Sequence, residues 1–129
     1  MSGRYLLDTN AVIALVDGEV SMRDIVTQAD EIFIPSPVLG ELYFGAFRSE
    51  RVPENVDRID DLVRWYAILR IDEFTAKSYG MLRQQLGAAG RPIPSNDLWI
   101  AALAQQHGTA IVTQDRHFDA VEDLAVIRW

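Results

Sequence analysis

Short apolar runs alternate with segments of helical periodicity along the chain. The runs have the length of strands, and they fall at residues 4–8, 31–34, 67–71, 110–113 and 125–128. Segments with the three-to-four-residue spacing of helices fall at 10–16, 22–29, 36–49, 56–63, 75–86, 97–107 and 116–121. This alternation predicts an α/β fold, with four to five parallel strands covered by helices on both faces.

Serine, proline and glycine residues indicate where helices are expected to begin and end. Ser36 followed by Pro37 predicts an N-cap and a first helical position. Gly108 is expected to cap the end of the helix that starts at Asp97. Residues 87–95 contain two glycines and two prolines, which indicates a loop leading into that helix.

Length and composition predict one domain spanning residues 1–129. The chain is 49% hydrophobic and has no repeat, linker or low-complexity tract. Its apolar stretches are far shorter than the ~18 residues of a membrane span, and residues 1–3 lead directly towards a strand. We therefore expect a soluble protein without a signal peptide. The absence of cysteine excludes disulfides, thiol nucleophiles and thiolate zinc sites, and it favours a cytoplasmic location.

The charge balance argues against a general nucleic-acid-binding surface. The formal net charge is −7, and Lys77 is the only lysine. An acidic protein can still act on phosphates when divalent cations and a few arginines supply local positive charge.

Four acidic residues lie within or at the edge of apolar runs. Asp8 closes the first predicted strand, and Asp115 follows the fourth. Glu41 is the only charged residue between positions 38 and 47, and Asp97 opens an apolar helix. Because a buried, unpaired carboxylate is costly, this pattern indicates a bound cation.

The predicted fold brings these acids to one place. Ligands bind beyond the carboxyl ends of parallel strands, so Asp8 and Asp115 would share a crevice if the first and fourth strands are neighbours. Helical spacing places Glu41 and Asp97 on faces that we expect to look inward. A pocket of carboxylate oxygens without His or Cys suits Mg²⁺ or Mn²⁺.

Structural interpretations compete with ligation at single positions. Asp8 would also serve as a helix cap, Asp97 as a partner of the helix dipole, and Asp115 as the start of a turn. Glu41 has no such alternative, because it lies away from the predicted helix ends. The presence of all four favours metal binding.

Further polar residues accompany the acids. Asn10 and Thr113 are expected to orient the carboxylates, although both are also common in caps and turns. Arg116 is a candidate contact for phosphate or a partner, and a solvated arginine is an equal alternative. His107 fits a helix C-terminus, and His117 is not required as a base.

These residues resemble the motifs of PIN-domain ribonucleases. The matching pieces are Leu6-Leu7-Asp8-Thr9-Asn10, the Glu41 helix, the run 93–97 leading into 100–102, and the run 113–118. Their size and spacing are most similar to the VapC toxins of toxin–antitoxin pairs. The resemblance implies a three-layer α/β/α sandwich, a divalent-metal endoribonuclease, a homodimer and inhibition by a cognate VapB antitoxin.

We therefore predict Mg²⁺-dependent hydrolysis of RNA by water, with Mn²⁺ as a substitute, leaving a 5′-phosphate and a 3′-hydroxyl. Two other classes stay open. A receiver-type signalling domain needs a strand-end lysine and an acidic pair after its first strand, whereas Lys77 falls in a predicted helix. A catalytically silent PIN-like binding module would normally have lost one or more of the four acids.

Overall fold

Five short strands form the centre of the molecule. A computed structural model describes residues 3–129, so Met1 and Ser2 of the predicted domain lie outside the described residues. The strands are β1 (Arg4–Leu7), β2 (Glu31–Pro35), β3 (Ala67–Leu69), β4 (Ala110–Val112) and β5 (Val126–Ile127). All neighbouring strands are parallel, in the order β3-β2-β1-β4-β5. The predicted strands and the parallel sheet are confirmed.

Helices flank the sheet and connect its strands. They are α1 (Thr9–Val16), α2 (Val20–Gln28), α3 (Ser36–Phe47), α4 (Val52–Trp65), α5 (Glu73–Ala88) and α6 (Ser95–His107), with a short 3₁₀ helix at Arg116–Ala120. The α/β/α architecture is therefore confirmed.

Several helix starts depart from the sequence prediction, and those of α2, α4 and α6 lie two to four residues earlier than expected. Ser36 was expected to be an N-cap, but Pro35 occupies that position in an extended conformation and Ser36 is already helical. Helix α5 begins two residues earlier than predicted. Its cap is Asp72, whose carboxylate accepts hydrogen bonds from the backbone N–H groups of Phe74 and Thr75. The prediction missed this start because it followed the spacing of apolar residues, and Asp72 is polar.

Helix α6 is buried nearly all round. Six of its residues are buried, namely Leu98, Ile100, Ala101, Ala102, Leu103 and Ala104. A helix that is apolar on every side belongs to the core, where close packing restricts its movement. It begins at Ser95 and ends at Gly108, whose left-handed φ of 63° confirms the predicted C-cap. Asp97 therefore lies in the first turn of a firmly held helix.

The strand order reverses at β1. The chain builds β2 and β3 on one side of β1, and it then crosses to place β4 and β5 on the other. Leu7 of β1 is paired with Val112 of β4. The first and fourth strands are therefore neighbours, which is the condition for Asp8 and Asp115 to share one crevice. A receiver-type sheet has the order 2-1-3-4-5, so the observed order excludes that alternative. Among residues 3–129, no helix has the length and apolar character needed to span a membrane.

Candidate metal centre

Asp8 connects β1 to α1 and is buried, with 5% of its surface exposed. Its Oδ1 accepts a hydrogen bond of 2.8 Å from the backbone N–H of Ala11, so Asp8 does cap α1. Its Oδ2 accepts a second hydrogen bond from the hydroxyl of Thr113. Both carboxylate oxygens are therefore fixed in direction at the carboxyl end of β1.

Thr113 lies immediately after β4 and is fully buried. While its hydroxyl donates to Asp8, the same oxygen accepts the backbone N–H of Asp115 at 2.9 Å. One side chain therefore ties the end of β1 to the segment that carries Asp115. The proposed supporting role of Thr113 has a definite geometry.

The ring of His117 lies between two of the predicted acids. Its Nδ1 is 2.8 Å from Oδ2 of Asp97 and 3.1 Å from Oδ1 of Asp115. The backbone N–H of His117 also donates to that Asp115 oxygen, at 2.9 Å. One ligand atom from each of the three side chains lies within 4.8 Å of the other two, a spacing that can hold a metal ion.

The carboxylates in this crevice repel one another. Burial raises the pKa of Asp8, the hydrogen bond from Thr113 lowers it, and the charges of Asp115 and Asp97 raise it further. Burial likewise raises the pKa of Asp97, while its hydrogen bond with His117 lowers it. The same hydrogen bond to Asp97 is the main cause of the raised pKa of His117. Among residues 3–129, the half-exposed imidazole of His117 is the one basic group paired with any of these three carboxylates, and this arrangement favours a divalent cation.

Glu41 is placed differently from the other acids. It lies on α3, which packs against α6, and its side chain is exposed although Val38 one turn earlier is fully buried. The expectation that Glu41 looks into a buried face is therefore wrong, because the apolar stripe of α3 does not include its position. Within residues 3–129, no hydrogen bond or ion pair holds the Glu41 carboxylate, so its role as a ligand stays a prediction.

The sequence pattern of the PIN domain matches residues 5–124. The chain belongs to the PIN domain family. It is 32% identical over 130 residues to Ribonuclease VapC2 of Haemophilus influenzae, with 98% of each chain covered. It is 31% identical over 129 residues to the tRNA(fMet)-specific endonuclease VapC of Shigella flexneri, again with 98% of each covered.

The fold of this PIN domain is also similar to solved structures. The match with VapBC-1 from nontypeable Haemophilus influenzae has a TM-score of 0.88 and 30% identity, and it covers 97% of each chain. The resemblance to PIN domains and VapC ribonucleases, predicted from four motifs, is confirmed over nearly the whole chain.

Two other predicted residues lie at the surface of the PIN domain. Asn10 is exposed in the first turn of α1. Arg116 is also exposed, with its guanidinium 3.8 Å from a carboxylate oxygen of Asp119. The role of Asn10 in orienting the acids and the role of Arg116 as a contact for phosphate or a partner both stay predictions.

Sequence reasoning missed the position of His117 in this PIN domain. The signal in the sequence was the position of His117 two residues after Asp115. An aspartate that accepts the backbone N–H two residues ahead forms a tight turn, and this turn brings the following ring back beside the carboxylate. Fully buried Phe118 then fixes the segment against the core.

The donor set of the PIN domain fits a divalent cation. Asp8 and Asp115 follow the carboxyl ends of β1 and β4, the place where parallel sheets bind ligands, and Asp97 lies beside Asp115 through their shared contact with His117. Oxygen ligands are those that Mg²⁺ and Mn²⁺ prefer. The mutual repulsion that raises the pKa of Asp8 would be relieved by such an ion.

Proposed function

We propose that this PIN domain is a Mg²⁺-dependent endoribonuclease and the toxin of a toxin–antitoxin pair. The observation that carries the proposal is the meeting of Asp97 and Asp115 beside His117, with Asp8 joined to the Asp115 segment through the hydroxyl of Thr113. Family membership and the ribonuclease names of full-length relatives support the same activity.

The metal ligands in this proposal are Asp8, Glu41, Asp97 and Asp115. Glu41 joins the other three by turning its exposed side chain, which no partner within residues 3–129 restrains. When bound, Mg²⁺ supplies Lewis-acid stabilisation of charge on the phosphate and lowers the pKa of water, and Mn²⁺ substitutes for it.

The residues of the chain hold the site ready for this chemistry. The hydroxyl of Thr113 and the N–H of Ala11 fix both oxygens of Asp8. The carboxylate is therefore already oriented before the substrate binds. The packed helix α6 does the same for Asp97. Groups that are held in position before the reaction account for much of the rate enhancement of enzymes.

Water is the nucleophile, and no side chain forms a covalent intermediate. Attack by water on the phosphodiester releases the 3′ oxygen of the ribose and leaves a 5′-phosphate and a 3′-hydroxyl. Asp97 takes the proton from water. Its carboxylate is partly exposed in the first turn of α6, so solvent reaches it while the packed helix holds it in place.

Protein partners are part of the proposed function. One solved structure similar to this chain is of VapBC-1, and we assign a VapB-like antitoxin to this chain as well. A homodimer would cover exposed apolar side chains such as Phe44, Phe47 and Trp65. The absence of cysteine suits the cytoplasm, where the RNA substrate and the antitoxin are made.

An RNA cleavage assay tests the activity. Structured RNAs, beginning with initiator tRNA because of the Shigella relative's name, are incubated with the protein and Mg²⁺ or Mn²⁺. Discrete fragments that carry 5′-phosphates are expected from the wild type and not from Asp8→Ala. Asp24→Ala, at an exposed position on α2, should cleave like the wild type.

A catalytically silent PIN module is the alternative that the same assay decides. Such a module would bind RNA without cutting any member of the panel with either metal. Equal cleavage by wild type and Asp8→Ala would show that Asp8 is not part of the active site, and the proposed site would be wrong.

A further inference from the structure

His117 Nδ1 makes two short contacts with carboxylates that come from different parts of the fold. Asp97 lies in the first turn of α6, and Asp115 follows β4. The distances from Nδ1 are 2.8 Å and 3.1 Å respectively. The ring is half exposed, so core packing does not force it into this position.

A hydrogen bond explains only one of these contacts. A ring nitrogen carries at most one hydrogen, which can point well at a single oxygen. The second carboxylate oxygen then lies close to the same nitrogen without a hydrogen of its own. The Asp115 oxygen is already held by the backbone N–H of His117, so it does not depend on the ring for a donor.

The separations match those of neighbouring ligands on one ion. Two ligand atoms at right angles, each about 2.1 Å from an octahedral ion, are about 3.0 Å apart. The two distances from Nδ1 lie on either side of this value. The three side chains therefore present one nitrogen and two oxygens at ligand spacing.

We propose that His117 is a direct nitrogen ligand of the divalent metal, beside Asp97 and Asp115, and that it biases the site towards Mn²⁺ over Mg²⁺. This inference rests on the proposed function, and it changes the all-oxygen site expected from sequence to a mixed one. Imidazole binds transition metals in preference to Mg²⁺, which keeps oxygen ligands. In the ligating tautomer Nε2 carries the ring hydrogen.

Nitrogen ligation can be observed directly. The chain contains two histidines, and His107 lies at the opposite end of α6 from Asp97. Protein labelled with ¹⁵N-histidine is loaded with Mn²⁺ and studied by pulsed electron paramagnetic resonance. A coupling from directly bound imidazole nitrogen is expected in the wild type and in His107→Asn. It should be lost in His117→Asn.

Metal affinities provide a second measurement. Asparagine places an amide N–H near the position of Nδ1, so His117→Asn keeps a hydrogen-bond donor for Asp97 in the metal-free protein and removes the nitrogen ligand. The Kd for Mn²⁺ should rise by at least about tenfold, the lower end of what even outer-sphere partners of a metal contribute. The Kd for Mg²⁺ should change much less. Circular dichroism checks that the variant is folded.

Two results would overturn the inference while leaving the nuclease proposal intact. One is Mg²⁺-dependent RNA cleavage by the wild type together with Mn²⁺ binding that lacks any nitrogen coupling. The other is an equal change in the Kd values for Mn²⁺ and Mg²⁺ in His117→Asn, which would make His117 a positioning residue. A protein that neither binds Mn²⁺ nor cleaves RNA would overturn both proposals.

Discussion

The hydroxyl of Thr113 donates a hydrogen bond to Oδ2 of Asp8, across a separation of 105 residues in the chain. This contact exists because β1 and β4 are neighbours in the sheet, with Leu7 paired to Val112. The same hydroxyl accepts the N–H of Asp115, so one buried side chain orients two of the predicted ligands. The site therefore depends on a polar residue that is not itself an acid.

Replacing Thr113 by valine should destabilise the protein and weaken the site. The change keeps the shape of the side chain but removes the donor to Asp8 and the acceptor for Asp115. Leaving buried polar groups without partners costs about 1–3 kcal/mol in the free energy of unfolding. Urea denaturation should detect this loss, and RNA cleavage should fall with it.

Thr109→Val is the matched control. Thr109 is also buried, but its hydroxyl has no hydrogen-bond partner within residues 3–129. Removing an unpaired hydroxyl should be neutral or stabilising. Equal destabilisation by the two substitutions would show that the bond from Thr113 to Asp8 contributes nothing specific.

Removing charge from the acids should abolish cleavage without unfolding the protein. Asp8→Asn, Glu41→Gln and Asp97→Asn keep the side-chain shapes and remove the negative charge that holds a cation. Cleavage of RNA with Mg²⁺ and circular dichroism are the measurements. A variant that retains turnover near that of the wild type would show that its residue is not a metal ligand. Glu41→Gln is the most informative of the three variants, because Glu41 is exposed and its role as a ligand stays a prediction.

The antitoxin should insert a basic residue among the carboxylates. The three clustered acids repel one another, and the planar donors of an arginine match carboxylate oxygens well. We expect such an arginine to displace the metal and block RNA. Replacing it by alanine should restore cleavage in the complex. A complex in which the antitoxin stays far from Asp8 and Asp97 and leaves cleavage unimpaired would contradict this prediction.

Metal-free stability should fall as pH rises. The pKa of Asp8 in the folded protein is raised from the ordinary value of 3.8, mainly by burial. A carboxyl group with a raised folded pKa favours folding at low pH, and this advantage is lost as pH rises through the folded pKa. Asp8→Asn removes the charged form, so its melting temperature in chelator should exceed that of the wild type at pH 7.

Mn²⁺ should reverse this penalty. A ligand that binds only the folded state adds about 2.7 kcal/mol at a hundredfold excess over Kd. The melting temperature of the wild type should therefore rise with Mn²⁺ at pH 7, and rise less at pH 5, where protons compete for the carboxylates. Asp8→Asn should respond weakly, and Asp24→Asn should respond like the wild type. Equal metal-induced shifts in wild type and Asp8→Asn would place Asp8 outside the site.

The sequence alone determined the order of elements and the class of the fold. Apolar spacing is a local property, so it predicted the five strands and placed Asp8 and Asp115 at strand ends. Local chemistry also predicted the Gly108 cap. Motif spacing was sufficient to indicate the PIN family, whose sequence pattern matches residues 5–124.

Only the tertiary structure decided which side chains meet. The pairing of β1 with β4 joins Thr113 to Asp8, and no local pattern encodes a contact across 105 residues. The placement of the His117 ring against Asp97 depends on how the 3₁₀ helix packs beside α6. Exposure of Glu41 was likewise decided by packing, since helical spacing gives a residue's face but not what covers it.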